Sequence, residues 1–121
     1  MKQPKVFTMY LWKVLEVEYI NFKDERVKVY DEEYNEYHFY DLKDVKFMEN
    51  TGFKDRNGTY IYVGDIVKIS DKYFEVTYIP FKGFVLKREN YIDGIYLSLE
   101  VNADTTSVVG NIYENKDLLY V

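Results

Sequence analysis

The chain has 121 residues, 47% hydrophobic and 31% charged, which suits one compact core and leaves little room for a two-domain enzyme with a deep cleft. Its net charge of −5 argues against non-specific nucleic-acid binding, which draws on a surplus of lysine and arginine. The absence of cysteine removes disulfides, thiol catalysis and thiolate metal sites, and no apolar run approaches the roughly 20 residues that a spanning helix requires.

From the N-terminus, Lys2 and Lys5 are followed by Glu16 and Glu18, which interrupt anything resembling an export signal, so an intracellular protein is expected. Leu15-Glu16-Val17-Glu18-Tyr19 alternates with a period of two, apolar residues facing one way and glutamates the other. Val27 and Val29 alternate with Arg26, Lys28 and Tyr30, and the acidic turn Asp31-Glu32-Glu33 precedes Tyr37-His38-Phe39-Tyr40. With Val45–Met48 as a further short strand, these segments predict a β meander over residues 1–47.

The middle is punctuated by glycine. Asn57-Gly58 predicts a tight hairpin turn of type I′, since both residues tolerate positive φ. Gly64-Asp65 separates Thr59–Val63 from Ile66–Ile69, and Asp71-Lys72 precedes Tyr73–Ile79, where Phe74, Val76 and Tyr78 alternate with Glu75 and Thr77. Pro80 and Gly83 end that strand and set up Phe84–Lys87. Ile95, Leu97, Leu99 and Val101 then form the clearest period-2 run, predicting another strand. Asn102–Thr106 is a polar loop, and Asn115 is placed to cap a short terminal helical turn through Leu118 and Leu119. No 11-residue window carries an amphipathic helix, so the fold class is mainly β, a small barrel or sandwich.

The stretch Asn50-Thr51-Gly52-Phe53-Lys54-Asp55-Arg56-Asn57-Gly58, continuing through Ile61-Tyr62-Val63-Gly64-Asp65-Ile66-Val67, and the later Gly110-Asn111-Ile112-Tyr113-Glu114-Asn115 with Leu118-Leu119, resemble the two sequence elements of the YopX family of phage and prophage proteins. The resemblance covers about residues 48–119 and leaves the N-terminal part divergent. It implies a single domain with an SH3-like barrel over 48–121, a phage or prophage origin and a place in the bacterial cytoplasm. It supplies no catalytic residues, because no general activity is established for that family. Folding alone also explains the motif: Asn57-Gly58 sets a tight turn, Gly64 lets the backbone bend, Asp65 can tie that turn through local hydrogen bonds, and Ile61, Ile66 and Val67 fill the core, with Gly52, Gly110 and Asn111 in the same structural motif. These residues read as scaffold.

Reactive chemistry is sparse. His38 is the only histidine, flanked by Tyr37 and Phe39 on an expected strand, so neither a two-histidine metal site nor a supported triad exists. Gly52, Gly58 and Gly64 do not match a phosphate-cradling loop. The acidic run Asp31-Glu32-Glu33 with Glu36 lacks the calcium-loop pattern and reads as a solvated turn, as do Asp41 and Asp44. No catalytic residue, metal or cofactor is expected.

The unusual feature is aromatic content: fourteen Tyr, eight Phe and one Trp. Core filling is the simpler reading of any one of them, but so many leave some on the surface. Residues 51–88 carry seven basic and four acidic side chains, so a local basic patch is compatible with the acidic whole. Tyr60, Tyr62, Tyr73, Lys82, Phe84, Lys87 and Arg88 form the candidate binding surface. The expected function is a non-catalytic accessory protein that binds another protein, a host-takeover or anti-defence role being one form, with self-association compatible and no membrane contact. The alternative is single-stranded nucleic-acid binding through the same basic and aromatic residues.

Overall fold

The computed structural model describes residues 3–88 and 96–120. The chain divides into two compact units, Met1–Glu49 and Asn50–Val121.

The first unit is a five-stranded antiparallel sheet of β1 (Lys5–Thr8), β2 (Lys13–Asn21), β3 (Arg26–Asp31), β4 (Glu36–Asp41) and β5 (Val45–Met48), in the order β4-β3-β2-β1-β5. Alternation gathers Val6, Leu15, Val17, Val27, Val29 and Val45 into one buried cluster, each worth about 1.5–3 kcal/mol against leaving it exposed. A bulge shifts the β2–β3 register between Val17 and Tyr19. One extra residue reverses which side chains face the core. Tyr19, expected on the apolar side with Leu15 and Val17, therefore points outward opposite Lys28, while Ile20 packs on the buried cluster. The short β1 was not among the predicted strands.

In the second unit, β6 (Asn50–Lys54) and β7 (Tyr60–Tyr62) form a two-stranded sheet. A second five-stranded sheet contains β8 (Asp65–Ile69), β9 (Lys72–Ile79), β10 (Gly83–Lys87), β11 (Leu97–Ser98) and β12 (Ser107–Asn111), in the order β11-β10-β9-β8-β12. One face carries the core of Ile61, Val67, Phe74, Val76, Leu86, Leu99 and Ala103. The opposite face is covered too: Ile66 and Val85 are buried, and the terminal 3₁₀ turn Lys116–Tyr120, with buried Leu119, lies against β9. Burial there, with the neighbouring Glu75 carboxylate, pushes the Tyr113 phenol up.

The mainly β expectation holds. The strands make three sheets, and the described residues form no closed barrel, because β11 and β12 stand at opposite ends of their strand order.

Three local readings change. The period-2 run at 95–101 is not one strand: Leu97–Ser98 is extended, but Leu99–Asn102 is a short α-helix, α1 (Ile95 lies outside the described residues). Ser98 caps it, its Oγ accepting from Val101 N–H at 3.3 Å. The helical turn buries Leu99 and leaves Val101 80% exposed, where a strand would have faced both the same way. At the Asn57-Gly58 turn only Gly58 has positive φ, +81°. Gly58 N–H donates to Asp55 O at 3.0 Å, so the turn is a four-residue one ending in a left-handed glycine rather than type I′. Finally, the terminal turn forms as expected, but the Asn115 side chain accepts from Asn111 N–H at 3.1 Å rather than capping it.

Among the described residues, no helix is long and apolar enough to cross a membrane.

Candidate functional site

The glycine-punctuated motif is a hydrogen-bond frame. Asn50 Oδ1 accepts from Gly52 N–H at 2.8 Å, and buried Thr51 donates its hydroxyl to Ile61 O at 2.7 Å. Asp55, almost fully buried, takes Asn57 N–H (2.8 Å) and Thr59 N–H (2.9 Å) on Oδ1, and Val108 N–H (2.9 Å) on Oδ2. Burial alone would push its carboxyl up, but those three donors, helped by Arg56, hold it below the usual carboxylate range. Asp65 Oδ2 accepts from Tyr62 N–H at 2.7 Å. Gly64, at φ +99°, donates to Val76 O (2.9 Å) and accepts from Ile112 N–H (2.8 Å). Asn111 Oδ1 accepts from Tyr113 and Glu114 N–H, at 3.0 and 2.9 Å. These polar atoms serve the backbone. Asp55 and Thr51, central to the frame, were not singled out from sequence.

The predicted binding residues do not converge. In antiparallel strands opposed residues share a face. Tyr73, opposite Lys68, and Lys87, opposite Glu75, lie on the face of Ile66 and Val85. Phe84, opposite Tyr78, packs on the core face, and the Arg88 guanidinium lies 5.7 Å from the Phe74 ring on that same face. Tyr60 and Tyr62 sit on β7, with Lys54 Nζ 4.9 Å from the Tyr60 ring, and Lys82 lies over Tyr96 at 5.5 Å. An open groove of about 820 Å³ near Arg56, Ser70 and Asn102 is polar, but Asn102 donates to Ser98 O and Thr105 to Asn102 O.

Exposed aromatic groups gather instead on the first unit. On the outward face of β2-β3-β4, Lys28 Nζ lies 4.4 Å from the Tyr37 ring, 5.7 Å from Tyr19 and 5.8 Å from Phe39, and Arg26 adds a 5.5 Å contact to Phe39. All three rings are about half exposed. The adjoining hollow of about 130 Å³ is well below the several hundred Å³ of a typical small-molecule site.

A second cluster is the β1–β2 loop, Met9-Tyr10-Leu11-Trp12. Tyr10 is 68% and Trp12 63% exposed. Trp12 meets the Phe7 ring edge-on at 5.3 Å, and Tyr10 stacks on Tyr40 at 5.6 Å with the rings 5° from parallel. The signal was in the sequence: four consecutive apolar residues, including the single tryptophan, beside the short run Lys5–Thr8.

The acidic run is organised by Lys13, whose Nζ lies 2.8 Å from Asp31 Oδ2 and 3.0 Å from Glu33 Oε2. The hydrogen bond that Lys13 donates to Asp31 is the main reason the Lys13 ammonium is pushed up, and the same contact holds the Asp31 carboxyl down. His38 Nε2 lies 3.4 Å from Glu36 Oε2. No group of three or more metal-ligating side chains occurs among the described residues.

A small mainly β chain whose motif is a backbone frame and whose exposed aromatics lie outside that motif is thus defined. The chain belongs to the YopX family: the family model described as "YopX protein" matches residues 5–120, so the likeness extends through the N-terminal part that the sequence motifs left out. No curated protein matches it. Among solved structures it is similar to the crystal structure of protein EF1440 from Enterococcus faecalis, with a TM-score of 0.63 and 21% identity over 97% of this chain and 96% of that one. That likeness concerns the fold alone.

Proposed function

We propose that this protein is a non-catalytic accessory protein of phage or prophage type, working in the bacterial cytoplasm, that binds another protein through the aromatic surface of its first unit. The observation that carries the reading is the exposure of Met9–Trp12 and of Tyr19, Tyr37 and Phe39, aromatic and apolar groups of the kind that anchor protein interfaces. Family membership supports the biological setting, and the commitment of the motif's polar atoms to backbone hydrogen bonds supports a structural rather than a reactive role for the motif.

The test is affinity capture from nuclease-treated bacterial lysate with wild type, Leu11→Ser and Tyr37→Ala/Phe39→Ala. A protein recovered by wild type and lost with either variant supports the reading. Recovery unaffected by both, or salt-sensitive capture of single-stranded nucleic acid by the purified protein, overturns it.

A further inference from the structure

At one end of the first sheet, the apolar β1–β2 loop adjoins the acidic β3–β4 turn. Lys13 follows the loop and reaches into the turn, its Nζ contacting Asp31 and Glu33 and lying 4.9 Å from the Tyr34 ring. Asp31 is buried in that contact, whereas Glu32, Glu33 and Glu36 stand exposed at the rim. Lys13 meets Asp31 and Glu33, and His38 lies 3.4 Å from Glu36, so negative charge stays in excess beside a loop whose four side chains are all exposed. The two ring contacts to Phe7 and Tyr40 hold the loop in place, which lowers the ordering cost of binding.

Carboxylates that outnumber their neighbouring cations, beside apolar anchors, complement a partner with the opposite charge and the same apolar character. The acidic rim repels the phosphates of nucleic acids and anionic lipids, and a second copy of this chain would bring the same negative charge against it. Resting on the protein-binding reading above, we propose that this end of the first unit docks a basic amphipathic protein segment. Its apolar residues seat on Met9, Tyr10, Leu11 and Trp12, and its flanking lysines or arginines meet Glu32, Glu33 and Glu36.

Trp12 is the only tryptophan in the chain, so its emission reports on the loop directly. The full chain is titrated with an amphipathic leucine–lysine peptide of about five helical turns, and with the same peptide carrying glutamate for lysine. The expected result is a blue shift with the lysine peptide alone, weakened as salt is raised. Leu11→Ser is expected to weaken binding about tenfold, the scale of losing one anchor. Glu32→Lys/Glu36→Lys leaves the Lys13–Asp31–Glu33 contacts in place and is expected to reverse the preference toward the glutamate peptide, a gain that misfolding cannot produce.

Equal responses to the two peptides, no response to either, or an equal blue shift on anionic vesicles or single-stranded DNA overturns the proposal. So does sedimentation that traces the shift to a dimer of this chain. A protein captured through the first unit that ignores the charge reversal overturns this inference while leaving the protein-binding reading intact.

Discussion

Val108 N–H donates to Asp55 Oδ2 at 2.9 Å across 53 residues of sequence, tying the β6–β7 hairpin to β12. Asp55→Ala removes the buried acceptor of three backbone donors and is expected to cost about 1–3 kcal/mol in denaturant unfolding. Because the folded carboxyl is held below its ordinary value, its contribution is complete above the unfolded aspartate range and is lost as pH falls through the lowered folded value. Asp55→Asn should therefore flatten the acid limb of the stability profile. An unchanged limb would show that acid sensitivity arises elsewhere.

Gly58 and its neighbour separate conformation from space. Gly58 has φ +81° and nothing within 4 Å of an added Cβ, so Gly58→Ala is expected to cost about 1–2 kcal/mol through backbone strain alone. Asn57, whose φ is not positive, should accept alanine with a much smaller loss. Comparable losses at both positions would restore the two-residue left-handed turn.

At Gly110 the constraint is space. An added Cβ would lie 2.5 Å from Asn115 Oδ1, 2.8 Å from its Cγ and 2.9 Å from its Cβ, so the whole side chain must move and release Asn111 N–H. Gly110→Ala is expected to cost about 1–3 kcal/mol. In the Asn115→Ala background the penalty should shrink, giving a coupling of at least about 0.5 kcal/mol in a double-mutant cycle. Additive losses would contradict the steric account.

Ser98→Ala removes the only side-chain cap seen on α1 and should cost about 1 kcal/mol, whereas Val101→Thr, at an exposed helical position, should be near neutral. The opposite ranking would favour a strand through this region.

Lys13→Ala should raise the titration of Asp31 toward its ordinary range in a carboxyl NMR titration, because the lysine hydrogen bond is the principal cause of its lowering. Since the folded value is the lower one, wild type should lose this interaction as pH falls through it, and the variant should lack that step. Unchanged titration of Asp31 would assign the shift to its backbone donors.

What the sequence revealed follows the range of the forces involved. The Gly58 turn, the strands around Val67 and Val76, and the mainly β class were legible because turn chemistry and alternation act over a few residues. Leu97–Val101 misled because a serine cap outweighed alternation over a short run. The outward turn of Tyr19 was hidden because it depends on a bulge, a property of the β2–β3 pair rather than of either strand. The spread of Tyr73, Phe84 and Arg88 over two faces could be read only once the register was known, while the Met9–Trp12 loop became recognisable once the flanking β1 and β2 were placed.

The pairing of β12 with β8 also orders events in time. Ser107 lies opposite Lys68 and Asn111 opposite Asp65, so this edge closes only after nearly all of the intervening chain exists. Contacts this distant in sequence carry a loop-closure penalty and slow folding. During synthesis, β8 must wait with one bare backbone edge until Ser107–Asn111 emerge, and a ribosome stalled before Ser107 would leave a hydrophobic strand open to mispairing with other chains.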